Sequence, residues 1–151
     1  MTKKEIEQLF THYIHAFQLR NIESIKMCYQ LPCTLHTPDK IVLIENDIDF
    51  EGEFLDIFAV LNHAQITRFM PLKASFSVLS EQLVLACVDW QFIGENEQVF
   101  TDFTACYHIA LNSEDWKIFN VVSQDLSQSL TLETAFNISD KTNEVGNLHE
   151  N

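Results

Sequence analysis

Three strand-like segments follow one another between residues 83 and 125, and they carry the densest hydrophobic pattern in the chain. The segments are LVLACVDWQFI, VFTDFTACYHIAL and WKIFNVVSQD, and the short polar breaks GENEQ and NSED separate them. Runs rich in Val, Ile and aromatic residues that are joined by short polar loops are typical of antiparallel strands. The sequence therefore predicts a meander of three long strands, which must bend around other elements if a small domain is to bury them.

The N-terminal segment has helical periodicity. Thr2 and Glu5 form a capping box, in which each side chain bonds the backbone N–H of the other residue. Apolar residues then recur at helical spacing on one face. These residues are Ile6, Leu9, Phe10, Tyr13, Ile14 and Phe17. We expect a first helix whose buried face includes one residue with a polar tip, Tyr13.

Between this helix and the meander, short helical and strand-like patterns alternate. Asn21 can cap a short second helix, and Asn46 or Asp47 can cap a third helix whose buried face includes Phe54 and Phe58. The segments CTLHT and KIVLIE flank a Pro-Asp dipeptide and predict a hairpin. The order of elements is therefore helix, short helix, hairpin, helix and then strands.

Length and composition indicate one domain. A chain of 151 residues with 46% hydrophobic content can bury one core of ordinary size. After residue 125 the sequence becomes rich in Ser, Thr, Asn and Gln, and hydrophobic residues become sparse. We predict a domain over residues 1–125, followed by a polar C-terminal tail over residues 126–151.

The charge of the chain narrows the classes of partner. A net charge of -13 repels the phosphate backbone of nucleic acids and anionic lipid head groups, so neither is expected as a partner. The sequence has no apolar run of about 18 residues and no signal-like start, which predicts a cytoplasmic protein. Its four cysteines lie in apolar surroundings, which favours buried free thiols over a disulfide framework.

Two segments of the sequence resemble those of a known superfamily. HYIHAFQLRNIESIKMCYQLPCTLHTP is similar to the opening of the nuclear transport factor 2-like, or cystatin-like, superfamily, and DWKIFNVVSQD is similar to its closing strand. Over residues 3–125 the resemblance implies an α+β fold, in which a curved, mixed, mainly antiparallel sheet wraps around N-terminal helices and forms a conical pocket. The superfamily includes polyketide cyclases, ketosteroid isomerases, dehydratases and non-catalytic binding domains, so the resemblance implies a fold more than a function.

Alternation along the strands then assigns residues to the pocket. If Trp90 faces the cone, then every second residue on its strand does so too. We expected Ala86 to pair with Ala105 and Val88 to pair with Phe103 on the next strand. The predicted pocket consists of Tyr13, Thr37, Phe54, Phe58, Ala86, Val88, Trp90, Phe103, Ala105, Tyr107 and Asn120.

The resemblance to ketosteroid isomerases provides a test of catalysis. The tyrosine that holds the oxyanion in those enzymes matches Tyr13, the general base matches Thr37, and the second acid matches Ala105. Neither a hydroxyl nor a methyl group transfers protons as a carboxylate does, so ketosteroid isomerase activity is not expected.

Two other groups of residues could carry chemistry. Asp89 and Asp102 are predicted to lie opposite each other on the outer face of the sheet, where they would be solvated or would meet a Lys across a dimer interface. If the assignment of faces were inverted, the two carboxylates would enter the cone as an acid–base pair. Cys28, Cys33 and His36 do not have the spacing of a zinc site, and no metal or cofactor is expected.

Three functions remain open on the sequence alone. The first is a binding domain for a small hydrophobic molecule, which forms a homodimer through the outer face of the sheet because Leu85, Cys87, Thr104 and Cys106 there are too apolar to remain exposed. The second is an isomerase, dehydratase or cyclase acting on a small hydrophobic substrate. The third is an interaction module whose cone is filled by its own side chains.

Overall fold

The computed structural model describes residues 1–139, and these form three α-helices and one seven-stranded sheet. The helices are α1 (Lys3–Gln18), α2 (Ile22–Lys26) and α3 (Asp47–His63). The strands are β1 (Tyr29–His36), β2 (Ile41–Ile44), β3 (Ile66–Ser80), β4 (Leu83–Gly94), β5 (Val99–Asn112), β6 (Asp115–Gln124) and β7 (Thr134–Ala135). Two short 3-10 helices, Glu95–Glu97 and Leu126–Gln128, follow β4 and β6.

The sheet has the strand order β2-β1-β6-β5-β4-β3-β7. All neighbouring strands are antiparallel except β1 and β6, which are parallel. Strands β4 to β6 form the predicted three-stranded meander, and β3 extends it on one side. The four long strands curve around the helices without closing into a barrel. The predicted fold class, an α+β fold with a curved, mixed, mainly antiparallel sheet, is confirmed.

The helices begin where their capping residues predict. The Thr2 hydroxyl accepts from the Glu5 N–H at 3.1 Å, and the Glu5 carboxylate accepts from the Thr2 N–H at 2.8 Å. The Asn46 side chain accepts from the N–H of Asp49 and begins α3. None of the helices within residues 1–139 has the length and apolarity that crossing a lipid bilayer requires.

Arg20 holds the ends of α1 and α3 together. Its backbone has a positive φ of 54°, which turns the chain sharply after α1. Its guanidinium donates to the Asn62 side chain at 2.9 Å and to the carbonyl oxygens of Phe17 and Ile66. Because these groups belong to three different segments, one side chain fixes where α3 ends and β3 begins relative to α1.

The pairing of β4 with β5 differs from the prediction by two residues. Ala105 lies opposite Val88, and Phe103 lies opposite Trp90. The shift arises at the turn, where the 3-10 segment has positive φ values and Phe100 is an extra, unpaired residue of a bulge. A shift of two residues preserves the alternation, so the predicted inward face of both strands is retained.

A second bulge changes the faces of β6. Ile118 pairs with Ile109 and Asn120 pairs with His108, so Phe119 is the extra residue on β6. From this point onward the alternation on β6 is reversed. Asn120 therefore lies on the outer face, not in the pocket as predicted. Its side chain contacts the Thr34 hydroxyl at 2.6 Å and His108 Nδ1 at 3.0 Å.

The predicted C-terminal tail runs along the domain as far as residue 139. Ser129 donates to the Asp89 carboxylate on the outer face at 2.7 Å, and the Ser75 hydroxyl accepts a backbone N–H of the tail. Strand β7 then pairs with β3, and Phe136 enters the core against Phe10. The remainder of the predicted tail, residues 140–151, lies outside the described residues.

Candidate functional site

A cavity of about 340 Å³ opens between the concave face of the sheet, α1, α3 and the β1–β2 hairpin. Its wall is mainly apolar and aromatic. The predicted residues that line it are Tyr13, Thr37, Phe54, Trp90, Phe103 and Tyr107. Further lining residues include Phe17, Tyr29, Phe69, Phe92, Ile57 and Val121. The volume lies at the lower end of the range of about 300–1,000 Å³ that is usual for small-molecule sites.

The buried side of the cavity carries two hydrogen-bonded pairs. The hydroxyls of Tyr13 and Tyr29 lie 2.7 Å apart, and the Trp90 indole N–H donates to the Tyr107 hydroxyl at 2.8 Å. Burial raises the pKa of all three tyrosines well above the ordinary value, so their hydroxyls stay protonated near neutral pH. This part of the wall is therefore neutral and rich in O–H groups.

Packed rings hold these hydroxyls in place. Phe10 contacts the edge of the Tyr107 ring with centroids 4.9 Å apart, and the Tyr13 ring lies 4.9 Å from that of Phe17. Most of the ring pairs around the cavity are edge-to-face, which is a favoured geometry for aromatic side chains. Because α1 and the sheet both supply rings, the position of the tyrosines is set by the core of the domain.

The mouth of the cavity differs from its buried side because it is charged. His36, Lys40, Glu53 and Asp56 line it, at the end of β1, in the hairpin turn and on α3. Lys40 Nζ lies 3.9 Å from a Glu53 carboxylate oxygen, which links the turn to the helix. The Thr37 hydroxyl accepts from the backbone N–H of Lys40 at 3.2 Å and so stabilises the turn.

Several residues of the cavity wall were not predicted as site residues. They are Tyr29 and the residues of the mouth, His36, Lys40, Glu53 and Asp56. The signal for Glu53 and Asp56 is their helical spacing with Ile57 and Val60, which also line the cavity. No comparable signal exists for Tyr29, because its contact with Tyr13 joins residues 16 positions apart.

Five predicted pocket residues do not line the cavity. Ala86, Val88 and Ala105 do face inward, but they are at most 1% exposed and belong to the core. Alternation gives the face of a strand, whereas the packing of helices on that face decides which part of it stays uncovered. Phe58 is similarly buried, against Phe17. The fifth residue is Asn120, which the bulge on β6 places on the outer face.

Asp89 and Asp102 do not lie opposite each other, so they do not form the predicted acid pair. Asp89 lies opposite Thr104, and Asp102 lies opposite Gln91, because of the shift in register. Both carboxylates lie on the outer face, since Trp90 and Phe103 face the cavity, so the alternative in which they enter the cone is wrong. Asp89 is buried and lies 3.9 Å from Lys73 Nζ, whereas Asp102 is exposed.

Two of the three positions that match ketosteroid isomerase catalysis, those of the general base and the second acid, are occupied by groups that do not replace a carboxylate. Thr37 is engaged in the hairpin turn, and Ala105 is buried in the core. Within residues 1–139, no three His, Cys, Asp or Glu side chains come together in a way that could hold a metal ion.

Solved structures with the same fold come from several bacteria. A protein of unknown function from Shewanella oneidensis is 12% identical, with a TM-score of 0.67 and coverage of 83% of this chain and 100% of that protein. A protein with a cystatin-like fold from Nostoc punctiforme is 13% identical, with a TM-score of 0.67 and coverage of 100% and 89%. A candidate ketosteroid isomerase from Shewanella frigidimarina is 11% identical, with a TM-score of 0.63 and coverage of 78% and 92%.

These similarities establish the fold, and the family follows from the sequence itself. No curated protein matches the chain. The family model described as NTF2-like protein (DUF6841) matches residues 4–126, which include α1 without its first residue, α2, α3 and β1 to β6. The chain therefore belongs to this family of NTF2-like proteins.

Proposed function

We propose that this protein binds a small, mainly apolar molecule in the cavity, and that the bound molecule places a hydrogen-bond acceptor against the tyrosines. The observation that carries the proposal is the combination of an aromatic wall with three neutral hydroxyls on its buried side. A carbonyl group is the simplest acceptor of this kind. Cyclic ketones and related compounds are therefore the chemical class that fits best.

The number of hydroxyl hydrogens left free to donate supports an acceptor on the ligand. The Tyr107 hydroxyl accepts from Trp90 and still has its own hydrogen to donate. In the pair of Tyr13 and Tyr29, two hydroxyls need only one hydrogen for their mutual bond, and the second hydrogen can be donated to a ligand. A ligand that offered donors instead would compete with these hydrogens.

Matched probes test the proposal directly. Binding of 1-indanone and of its hydrocarbon counterpart indane is measured by quenching of tryptophan fluorescence and by calorimetry. A hydrogen bond to a buried neutral donor contributes about 0.5–1.5 kcal/mol, so we expect the ketone to bind roughly two- to twelvefold more tightly. Equal affinity of the two probes would contradict an acceptor site, and binding of neither would contradict the binding function for compounds of this size.

Two variants locate the interaction. Tyr107→Phe keeps the ring and removes the hydroxyl, so the preference for the ketone is expected to fall. Thr104→Val, on the outer face of the same strand, is the matched control and should leave both affinities unchanged. A preference that survives in Tyr107→Phe and is lost in Thr104→Val would place binding outside the cavity.

A second candidate is an enzyme of the isomerase, dehydratase or cyclase kind. One observation favours it: the mouth contains His36, Glu53 and Asp56, which are groups able to take up a proton, while the buried side offers donors to a developing oxyanion. The name of the similar Shewanella frigidimarina protein points in the same direction. The first candidate is preferred because Glu53 is paired with Lys40 and the matched base position is Thr37.

Deuterium exchange separates the two candidates. An enzyme that removes a proton next to a carbonyl would exchange the α-hydrogens of 1-indanone in D₂O faster than buffer does, and His36→Gln or Glu53→Gln would slow this exchange. For a binding domain we expect exchange at the rate of buffer alone. NMR of the ketone measures it.

We further propose a homodimer through the outer face of the sheet. Cys87 and Thr104 are already buried within one chain, so they no longer support this proposal. The half-buried Leu85 and Val122 still do. Sedimentation of a monomer at micromolar concentration would contradict the dimer without affecting the proposed binding.

A further inference from the structure

Two of the four cysteines meet on the outer face of the sheet, away from the cavity. Cys87 on β4 and Cys106 on β5 are directly opposite each other, and their Sγ atoms are 3.0 Å apart. Opposed residues of antiparallel strands have Cα atoms about 4.5–5.5 Å apart, which lies within the range of about 4.4–6.8 Å that a disulfide requires. The backbone therefore already meets the main geometric condition for a bond between these two sulfurs.

The two thiols differ in exposure and in acidity. Cys87 is 1% exposed, whereas Cys106 is half-buried and open to small reagents. The hydrogen bond between the two thiols, in which Cys87 can donate to a thiolate on Cys106, lowers the pKa of Cys106 to about 7, although burial and the carboxylate of Asp89 oppose this change. The same interaction and burial raise the pKa of Cys87. A thiolate is the reactive form of cysteine, so Cys106 is the nucleophile of the pair.

We propose that Cys87 and Cys106 form a reversible modification site, in which a peroxide oxidises the two thiols to an intrachain disulfide. The proposal rests on the geometry of the pair and is independent of any ligand in the cavity. It concerns the outer face of the single chain, because the homodimer proposed above would cover Cys106 and protect it from peroxide.

The reaction has two steps, and hydrogen peroxide supplies the oxidant. The Cys106 thiolate attacks one peroxide oxygen, so that an S–O bond forms, the O–O bond breaks and hydroxide leaves, which takes up a proton to become water. Cys87 then attacks Cys106 Sγ, so that the S–S bond forms, the S–O bond breaks and hydroxide leaves, which takes up the proton of Cys87 and becomes the second water. Two thiols and one peroxide thus give one disulfide and two waters, with two electrons transferred from sulfur to oxygen.

The placement of Cys87 favours the second step over further oxidation. A neighbouring thiol that is already in contact reacts as if its concentration were very high. The pair of Cys28 and Cys33 provides a comparison within the same chain. Both are buried, and burial raises the pKa of Cys28 to about 12 and that of Cys33 to about 11. These two thiols are expected to remain reduced.

The test uses the full chain at low micromolar concentration, treated with a small excess of hydrogen peroxide. We expect the intact mass to fall by about 2 Da, because a disulfide replaces two S–H groups, and dithiothreitol to restore it. Peptide mapping without reduction should give one linked pair that contains Cys87 and Cys106, with Cys28 and Cys33 still alkylatable after unfolding. A linkage through Cys28 or Cys33, a disulfide between two chains, or sulfinic acid at Cys106 without a linkage would each overturn the proposal.

Single substitutions separate the two steps. In Cys87→Ser the sulfenic acid on Cys106 cannot be resolved, so labelling by dimedone should rise several-fold over the wild-type chain. In Cys106→Ser the nucleophile is missing, and Cys87 should stay reduced. Strong dimedone labelling of Cys106 in the wild-type chain, equal to that in Cys87→Ser, would contradict the role of Cys87. The mapping of the wild-type chain decides the main point even if a variant fails to fold.

Discussion

The two faces of β4 and β5 use the same backbone for different chemistry. On the inner face, the indole N–H of Trp90 donates a hydrogen bond to the hydroxyl of Tyr107 among packed rings. On the outer face, one carboxylate oxygen of Asp89 and the hydroxyl of Thr104 are buried without a hydrogen-bond partner among the described residues. A buried polar group without a partner costs stability. The inner face is thus built for stable, neutral packing, whereas the outer face retains polar groups that packing alone does not explain.

The strongest test of this comparison removes the main contact that the segment after β6 makes with each face, which is Phe136 on the inner face and Ser129 on the outer face. Phe136→Ala removes a ring that is 4% exposed and packs against Phe10 and Phe76. We expect the free energy of unfolding to fall by about 3–5 kcal/mol, as for other buried phenylalanines. Urea denaturation measures it.

The matched change on the outer face is Ser129→Ala, which removes one hydrogen bond to the carboxylate of Asp89. A bond to a charged group contributes about 1.5–3 kcal/mol, so the expected loss is smaller than that for Phe136→Ala. If the two substitutions cost the same, the segment is not anchored chiefly on the inner side.

Alkaline pH should weaken the fold through the buried thiols and tyrosines of the core. Burial raises the pKa of Cys28 from 9.0 to about 12. Below the unfolded value of 9.0 the thiol is neutral in both states, and its contribution to stability is fully present. Between 9.0 and about 12 the unfolded chain loses this proton and the folded chain keeps it, so the free energy of unfolding falls by about 1.4 kcal/mol for each pH unit.

Denaturation at a series of pH values measures this slope. Cys28→Ala should be less stable near neutral pH, and its stability should decline less steeply at alkaline pH because the Cys28 thiol is gone. Some decline should remain, because Tyr13, Tyr29 and Tyr107 still contribute. A flat profile up to about pH 11 would contradict the burial of these groups in the folded state.

Removing a hydroxyl from each face gives a finer comparison. Tyr107→Phe leaves the indole N–H of Trp90 buried without its acceptor, so we expect a loss of about 1–3 kcal/mol in the free energy of unfolding. Differential scanning calorimetry and urea denaturation of the ligand-free protein measure this loss. An unchanged stability would mean that the indole has found another acceptor.

The smallest effect is expected on the outer face. Thr104→Val removes a hydroxyl that is buried without a hydrogen-bond partner among the described residues and keeps the shape of the side chain. We expect stability to stay the same or to rise by up to about 1 kcal/mol. A loss above this magnitude would indicate that the Thr104 hydroxyl is satisfied in solution, for example by water.

Local signals predicted the fold better than the site. The capping residues Thr2 and Asn46 act only on their own helix, so they can be recognised from a few neighbouring residues. The bulges at Phe100 and Phe119 depend on how two strands fit together, and no local pattern indicates them. For this reason the inward faces of β4 and β5 were predicted, while Asn120 was assigned to the wrong side. The cavity wall depends in addition on where α1 and α3 cover the sheet.

Strand β7 and the residues around it shield an edge of the sheet. Strand β7 covers β3 at Ser75 and Phe76, and without it all 15 residues of β3 would form an edge strand, in which Pro71 has no N–H to offer. The family match ends at residue 126, so a chain shortened to that region would lose this shield and Phe136 together. Such a truncated protein is expected to aggregate through strand pairing between molecules, and the segment beyond the matched region therefore belongs in any soluble preparation of this domain.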